Sequence, residues 1–344
     1  MRPGLGDHAV TTWRVSETEQ LQRILDGLAT SDSADFRGGV RLWLQKGVWD
    51  TDITINHPWI ELCGDGEGTE VLGKVTTFAQ RTSIHDMAIR GAGRPYALRL
   101  KRNPALGFAN MPRNLISNLV IGATSQGAGD GPENGVEIDG TWLTTFRHVT
   151  SAFCLGHGWL VDSTNSLYPN TTLGFECCSA VANAKNGWYV RQSLTCGHWI
   201  RGSVEQNGYA DPALYHEMQL ESVIDCTIEQ VDFESSVAFT TSAFALSTCN
   251  IGEIKNCNFV QSLSGGVPLG IPRWLEGASC NGWHAHNIRV ENYPGGRNAQ
   301  FDERGSGNRI EDIYYVDQPG PPTDNRSVHH SKVFSAGHPT RMGH

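Results

Sequence analysis

A short phrase keeps returning along this chain. Alternating residues run up to a Gly, a bulky apolar residue follows, and the chain turns and starts again. The phrase reads Asn134-Gly135-Val136, His157-Gly158-Trp159, Asn186-Gly187-Trp188, Asn207-Gly208-Tyr209 and later Asn281-Gly282-Trp283. The first four glycines lie 23, 29 and 21 residues apart. Spacings of that size mark a solenoid, in which no single unit can bury its own apolar face. Between the turns, apolar residues alternate at period two, as in Asn118-Leu119-Val120-Ile121, Val231-Asp232-Phe233 and Ile288-Arg289-Val290. That alternation is the mark of a half-buried strand. An antiparallel sandwich would turn every 8–12 residues or so. The wider spacing here predicts a coil of parallel strands, a β-helix.

The pattern divides the chain into three stretches: an N-terminal segment, 1–38; the solenoid, 39–317; and a C-terminal tail, 318–344. Within the first, residues 16–28 place Leu21, Ile24, Leu25 and Leu28 on one helical stripe, behind a capping-box pattern of Ser16 and Glu19. A short amphipathic helix is expected there, plugging the open end of the solenoid and covering its edge strands. The tail, Gln318-Pro319-Gly320-Pro321-Pro322 followed by a His-rich stretch, has no strand rhythm. It reads as an extended or unstructured segment.

The formal net charge of −9 excludes a dense phosphate-binding surface, so no nucleic-acid partner is expected. No window is long and apolar enough for a membrane span. Nine cysteines lie scattered without zinc-like spacing, which predicts buried free thiols stacked inside the coils. No secretory leader is visible, which fits a cytoplasmic protein or release by a non-classical route. The glycines of 123–133 lack the Lys-Ser/Thr of a nucleotide-binding loop. No cofactor is implied, and no metal: His284 and His286 alternate on one strand face, but lone rung histidines usually serve structure.

The order of the helix, the strand run of 39–55, Ile60-Glu61-Leu62-Cys63-Gly64-Asp65-Gly66-Glu67-Gly68-Thr69 and the Asn- and Cys-rich rungs resembles the pectin-lyase-like superfamily. The resemblance covers about residues 10–317 and implies an all-β, right-handed, single-stranded parallel β-helix with a short N-terminal capping helix. That superfamily includes lyases, glycoside hydrolases, epimerases, fructotransferases and phage tailspikes. Val10-Thr11-Thr12-Trp13 and the strands that follow look like the opening of inulin fructotransferases, which are trimers. Val231-Asp232-Phe233-Glu234 looks like the strand ends of tailspike rungs. Neither the paired-Asp strand of polygalacturonases nor the basic, calcium-dependent pattern of pectate lyases is evident.

Aligning the rungs on Val204, Phe233, Phe259, Val290 and Val316 puts Glu205, Glu234, Val260, Glu291 and Asp317 in the next column. Rungs stack about 4.8 Å apart, so Glu205 and Glu234 become a candidate carboxylate pair for acid and nucleophile work. Beside them, the insertion of 207–217 breaks the rhythm with Tyr209, Asp211, Tyr215, His216 and Glu217. The candidate catalytic set is therefore Glu205, Glu234, Asp232, Asp211 and Glu217. Tyr209, Tyr215, His216, Trp199 and His198 are the candidate substrate platforms. These features point to a carbohydrate-active enzyme, a glycosidase or fructotransferase-like, acting on an oligo- or polysaccharide as a homotrimer. The alternatives are a non-catalytic glycan-binding phage tail or receptor-binding shaft, and a polysaccharide lyase.

Overall fold

The computed structural model describes residues 11–30, 39–79, 81–102, 113–163, 169–191, 194–237, 239, 242–261, 263–264, 267–268, 275–291, 301–306, 308–316 and 328–334. Through most of the chain successive strands do not pair with their sequence neighbours; each pairs in parallel with the strand one coil later. The result is a right-handed parallel β-helix with three walls. The first wall stacks Tyr96–Lys101, Asn134–Asp139, Trp159–Asp162, Trp188–Arg191, Met218–Glu221 and Phe244–Ser247. The second and third walls share strands, because Ser83–Ile89, Leu115–Gly122 and Trp142–Ala152 each bend through a corner between them. In the next four coils the corner splits the strand, as in Asn170–Glu176 and Ser179–Val181, whereas Leu275–Glu291 and Arg309–Val316 again run unbroken through it.

The corner is one residue wide. Asp86, Asn118, His148, Cys177, Arg201, Gln230, Asn256, Asn287 and Asp312 occupy the same column, all with φ between 51 and 58°. This left-handed region tolerates Asn and Asp best. Asn118 donates through Nδ2 to Asp86 Oδ1 at 2.9 Å, so neighbouring corners also bond to each other. A second left-handed column, Leu143, Thr172, Cys196, Asp225, Ile251 and Gly282, starts the second wall. The Asn281-Gly282-Trp283 phrase belongs to that column and not to the earlier glycines.

Those earlier glycines form a ladder of their own. Gly135, Gly158 and Gly187 stack at the entrance to the first wall. A Cβ on Gly158 would lie 2.6 Å from Asn183 Nδ2, and one on Gly187 2.6 Å from Asn207 Nδ2. The glycines leave room for a buried amide ladder: Cys154 N donates to Asn183 Oδ1, and Asn183 N to Asn207 Oδ1, each at 3.0 Å. The fourth position of the glycine ladder is Glu217, whose carbonyl accepts from Trp188 N. Asn207-Gly208-Tyr209 therefore falls out of the series, and its spacing of 21 marks an insertion.

The interior is a set of like-on-like stacks. Trp159 and Trp188 are 4.2 Å apart between centroids and almost parallel. Phe146, Phe175 and Trp199 continue along the second wall, and Phe233 stacks on Phe259 at 4.8 Å in the third. All nine cysteines are free, and seven of the nine are buried.

Both ends differ from expectation. Thr11–Val15, ahead of the helix, already pairs with Val40–Leu44, so the solenoid sheet begins inside the stretch assigned to the N-terminal segment. The helix runs Thr18–Thr30 and buries Leu21, Ile24, Leu25 and Leu28. Its back-bond to Ser16 N comes from Gln20 Oε1 at 3.5 Å, one residue past the expected Glu19. In the tail, Val328–Phe334 pairs antiparallel with Arg309–Val316 and covers the last coil's edge. The proline-rich start of the tail lies outside the described residues. No described helix is long and apolar enough to cross a membrane.

Candidate functional site

The outer face of the first wall carries two charged columns, because residues two apart on a strand share a face. One column reads Arg99, Glu137, Leu160, Tyr189 and Gln219; the other reads Asp139, Asp162, Arg191 and Glu221, with Lys101 beside Asp139. Asp162 takes Arg191 Nε at 2.9 Å and Nη2 at 2.7 Å, both on Oδ2. Asp139 lies 3.4 Å from Lys101 Nζ and 3.6 Å from Arg99 Nη2. Glu137 accepts from Asn134 Nδ2 at 2.9 Å. Tyr189 and Gln219 reach Glu221, the amide at 2.6 Å.

Three buried polar atoms on or beside this face have no hydrogen-bond partner among the described residues: Arg99 Nε, Asp162 Oδ1 and His157 Nδ1. Arg99 Nε sits 3.4 Å from Glu137 Oε2, close enough for attraction but badly aimed for a hydrogen bond. Unmet buried groups cost about 1–3 kcal/mol each, a cost that a partner supplied from outside would relieve. Burial pushes the Glu137 carboxyl up, and the Asp139 and Asp162 charges add to that against Asn134 and Arg99. Burial drops His157 to about 3, so its imidazole is neutral. Its ring lies 5.0 Å from Tyr189 and 6.2 Å from Tyr215, which belongs to the 207–217 insertion.

The residues singled out from sequence scatter over the coil. Glu205 and Glu234 are register partners on adjacent rungs of the third wall, both half-buried. Asp232 is exposed beside them and accepts from Asn258 Nδ2 at 2.6 Å. The last rung of the alignment slips by one: Val290 pairs with Tyr315 and Glu291 with Val316, and Asp317 lies outside the described residues. Asp211 is exposed and caps its own turn through Ala213 N at 3.0 Å. Tyr209 packs on the core, and His216 Nδ1 meets Ser242 O at 2.7 Å. His198 is exposed on the second wall, around the Arg201 corner from Glu205.

Two of the candidates face inward. Trp199 is 4% exposed and stacks on Phe175 at 5.0 Å, so its faces are spent inside the coil. Glu217 is fully buried; its Oε2 accepts from Asn207 N at 3.0 Å and Nδ2 at 2.7 Å, terminating the amide ladder. A glycan on the surface reaches neither. The first-wall cluster is not visible as a motif because its neighbouring members come from successive coils, 23–38 residues apart. Its local trace was the repeated polar pair at i and i+2: Arg99 and Lys101, Glu137 and Asp139, Tyr189 and Arg191, Gln219 and Glu221.

Comparison with solved structures places this coil among known ones. A PL6-family alginate lyase superposes with a TM-score of 0.53 at 13% identity, covering 87% of this chain and 40% of its own. The Acinetobacter phage vb_AbaP_AS12 tailspike gives 0.52 at 11%, over 95% of this chain and 66% of its own. The fold is pectin-lyase-like. The enzymatically active domain of tailspike protein 2 from bacteriophage CBA120 gives 0.50 at 11%, over 79% and 42%. The chain thus spans about two fifths of that tailspike domain and of the lyase. No family model and no curated protein matches the sequence.

Proposed function

We propose that the chain is a carbohydrate-active enzyme that cleaves a polysaccharide laid across the outer face of the first wall. The observation that carries this reading is a half-buried Glu137, whose carboxyl burial pushes up, beside an arginine-held Asp162 whose second oxygen meets no partner among the described residues. Two neighbouring carboxyls in unlike surroundings, one pushed up by burial and one held by an arginine, suit the acid and the base or nucleophile of glycosidic cleavage. Glu137 would protonate the departing oxygen, the Asp162 carboxylate would act on the anomeric side, and Tyr189 and Tyr215 would flank the sugars. The known activities of structures with this fold, an alginate lyase and an enzymatically active tailspike domain, support a polysaccharide substrate.

A second reading is elimination. Arg99, Lys101 and Arg191 gather three cations on this face of an acidic protein, with Arg99 Nε unspent. That patch would neutralise a uronate carboxylate. The Glu205 and Glu234 pair remains a separate carboxylate candidate on the third wall, and a homotrimer remains the proposed assembly. Digestion of a panel of neutral glycans, fructans, uronates and bacterial capsules, read by mass spectrometry, tests the reading. Products carrying an added water support hydrolysis. Products one water lighter, from a uronate, support elimination. No product from any glycan contradicts an enzyme and favours a glycan-binding shaft.

A further inference from the structure

On the outer face of the second wall, near the N-terminal end, Glu61, Cys63 and His85 bring one donor atom each within 4.8 Å of one another. Glu61 and Cys63 share a strand face two residues apart, and His85 stands opposite Cys63 on the next rung. We infer that these three side chains bind a borderline-soft divalent ion of the zinc type. Thiolate, imidazole and carboxylate are the donor set such an ion takes, at about 2.0–2.3 Å from each, with a fourth position left open.

The surroundings are those of a prepared site. The second ring nitrogen, His85 Nδ1, lies 2.7 Å from Asp86 Oδ2, leaving Nε2 directed at Glu61 Oε1 at 3.0 Å. Asp86 is itself held by Asn118 Nδ2 at 2.9 Å. Arg41 Nε holds the other oxygen, Glu61 Oε2, at 2.8 Å. His85 and Glu61 thus each have an outer partner that fixes their orientation and leaves one donor atom facing the centre, the arrangement that tunes metal-binding histidines. Glu61 and His85 side chains are only 24% and 20% exposed, and Cys63 is buried. On binding, the thiol proton passes to solvent.

A second cluster, Glu253, His284 and His286, meets the same distance criterion. It is the weaker candidate: it has no sulfur, and His284 Nε2 is already engaged by Glu311 Oε1 at 3.0 Å, outside the cluster.

Titration of the reduced, full-length protein with Co²⁺, followed by absorbance, tests the inference. The expected result is a thiolate-to-cobalt charge-transfer band with tetrahedral d–d bands, displaced by Zn²⁺ and absent in Cys63→Ser. Asp86→Asn keeps all three donors and is expected to weaken binding by about 10–100-fold. Circular dichroism checks the fold of each variant, and Asp86→Asn carries the test should Cys63→Ser fail to fold. The proposal is overturned if the wild type shows no charge-transfer band. It is equally overturned if the band survives in folded Cys63→Ser, since it then arises from another thiol such as the half-exposed Cys177 or Cys196, or if Asp86→Asn binds as tightly as the wild type.

Discussion

Glu217 occupies the position where three preceding coils place a glycine, and its carboxylate fills the space that the next ladder amide would take. Burial raises its pKa to about 8, against the opposing pull of Asn207. The unfolded chain releases that proton near 4.5 and the folded chain near 8, so between these values the folded state binds more protons. Stability therefore falls as pH rises through that window and levels off above it. Chemical denaturation at pH 5 and pH 8.5 should show this loss, and Glu217→Gln should remove most of it. Glu137, raised in the same sense, leaves a smaller remainder. The Asn-Gly phrase was legible in the sequence, but its reason was not, since the glycines serve an amide ladder contributed by the preceding wall. Gly158→Ala should therefore cost about 1–3 kcal/mol in denaturant melts, because its Cβ would press on Asn183 and the Gly187 carbonyl.

At the scale of strands and corners, period-two alternation gave the walls and their inward faces. The corners were harder to see, because any residue can be forced into a left-handed single-residue bend by the rungs on either side. Ile251 shows the force involved. It is β-branched, has φ of 54° and is 61% exposed, while the same column ends in Gly282. That conformation costs a β-branched residue about 1–2 kcal/mol, and its side chain recovers little by packing. Ile251→Gly is expected to raise the melting temperature; a lower melting temperature would mean that the exposed side chain contributes more than the bend costs. The slip at Val316 is of another kind: in each rung the aligned residue lies three after the corner, Val290 after Asn287 and Tyr315 after Asp312, and two consecutive apolar residues hide which of Tyr315 and Val316 that is.

For the whole molecule, the coil converts sequence separation into surface adjacency. Arg99, Glu137, Asp162 and Arg191 come from four successive coils, so no linear motif could announce them. The Glu205 and Glu234 pairing was visible from sequence because both follow an inward apolar residue in simple rungs, and the register confirms their adjacency. The shaft is held by stacked apolar side chains without a disulfide among its free cysteines. Reductant should leave the melting temperature unchanged. Light scattering at micromolar concentration tests the trimer, and a monomer there would remove any site shared between subunits.

The most direct test of the account uses the glycan identified by digestion and compares turnover by Glu137→Gln, Asp162→Asn, Glu205→Gln and Glu234→Gln. The account expects the two first-wall variants to lose at least about a hundredfold in kcat with retained glycan binding. The third-wall variants should stay near wild type. Full turnover in Glu137→Gln and Asp162→Asn, with loss in Glu205→Gln or Glu234→Gln, would contradict it and move the chemistry to the third wall.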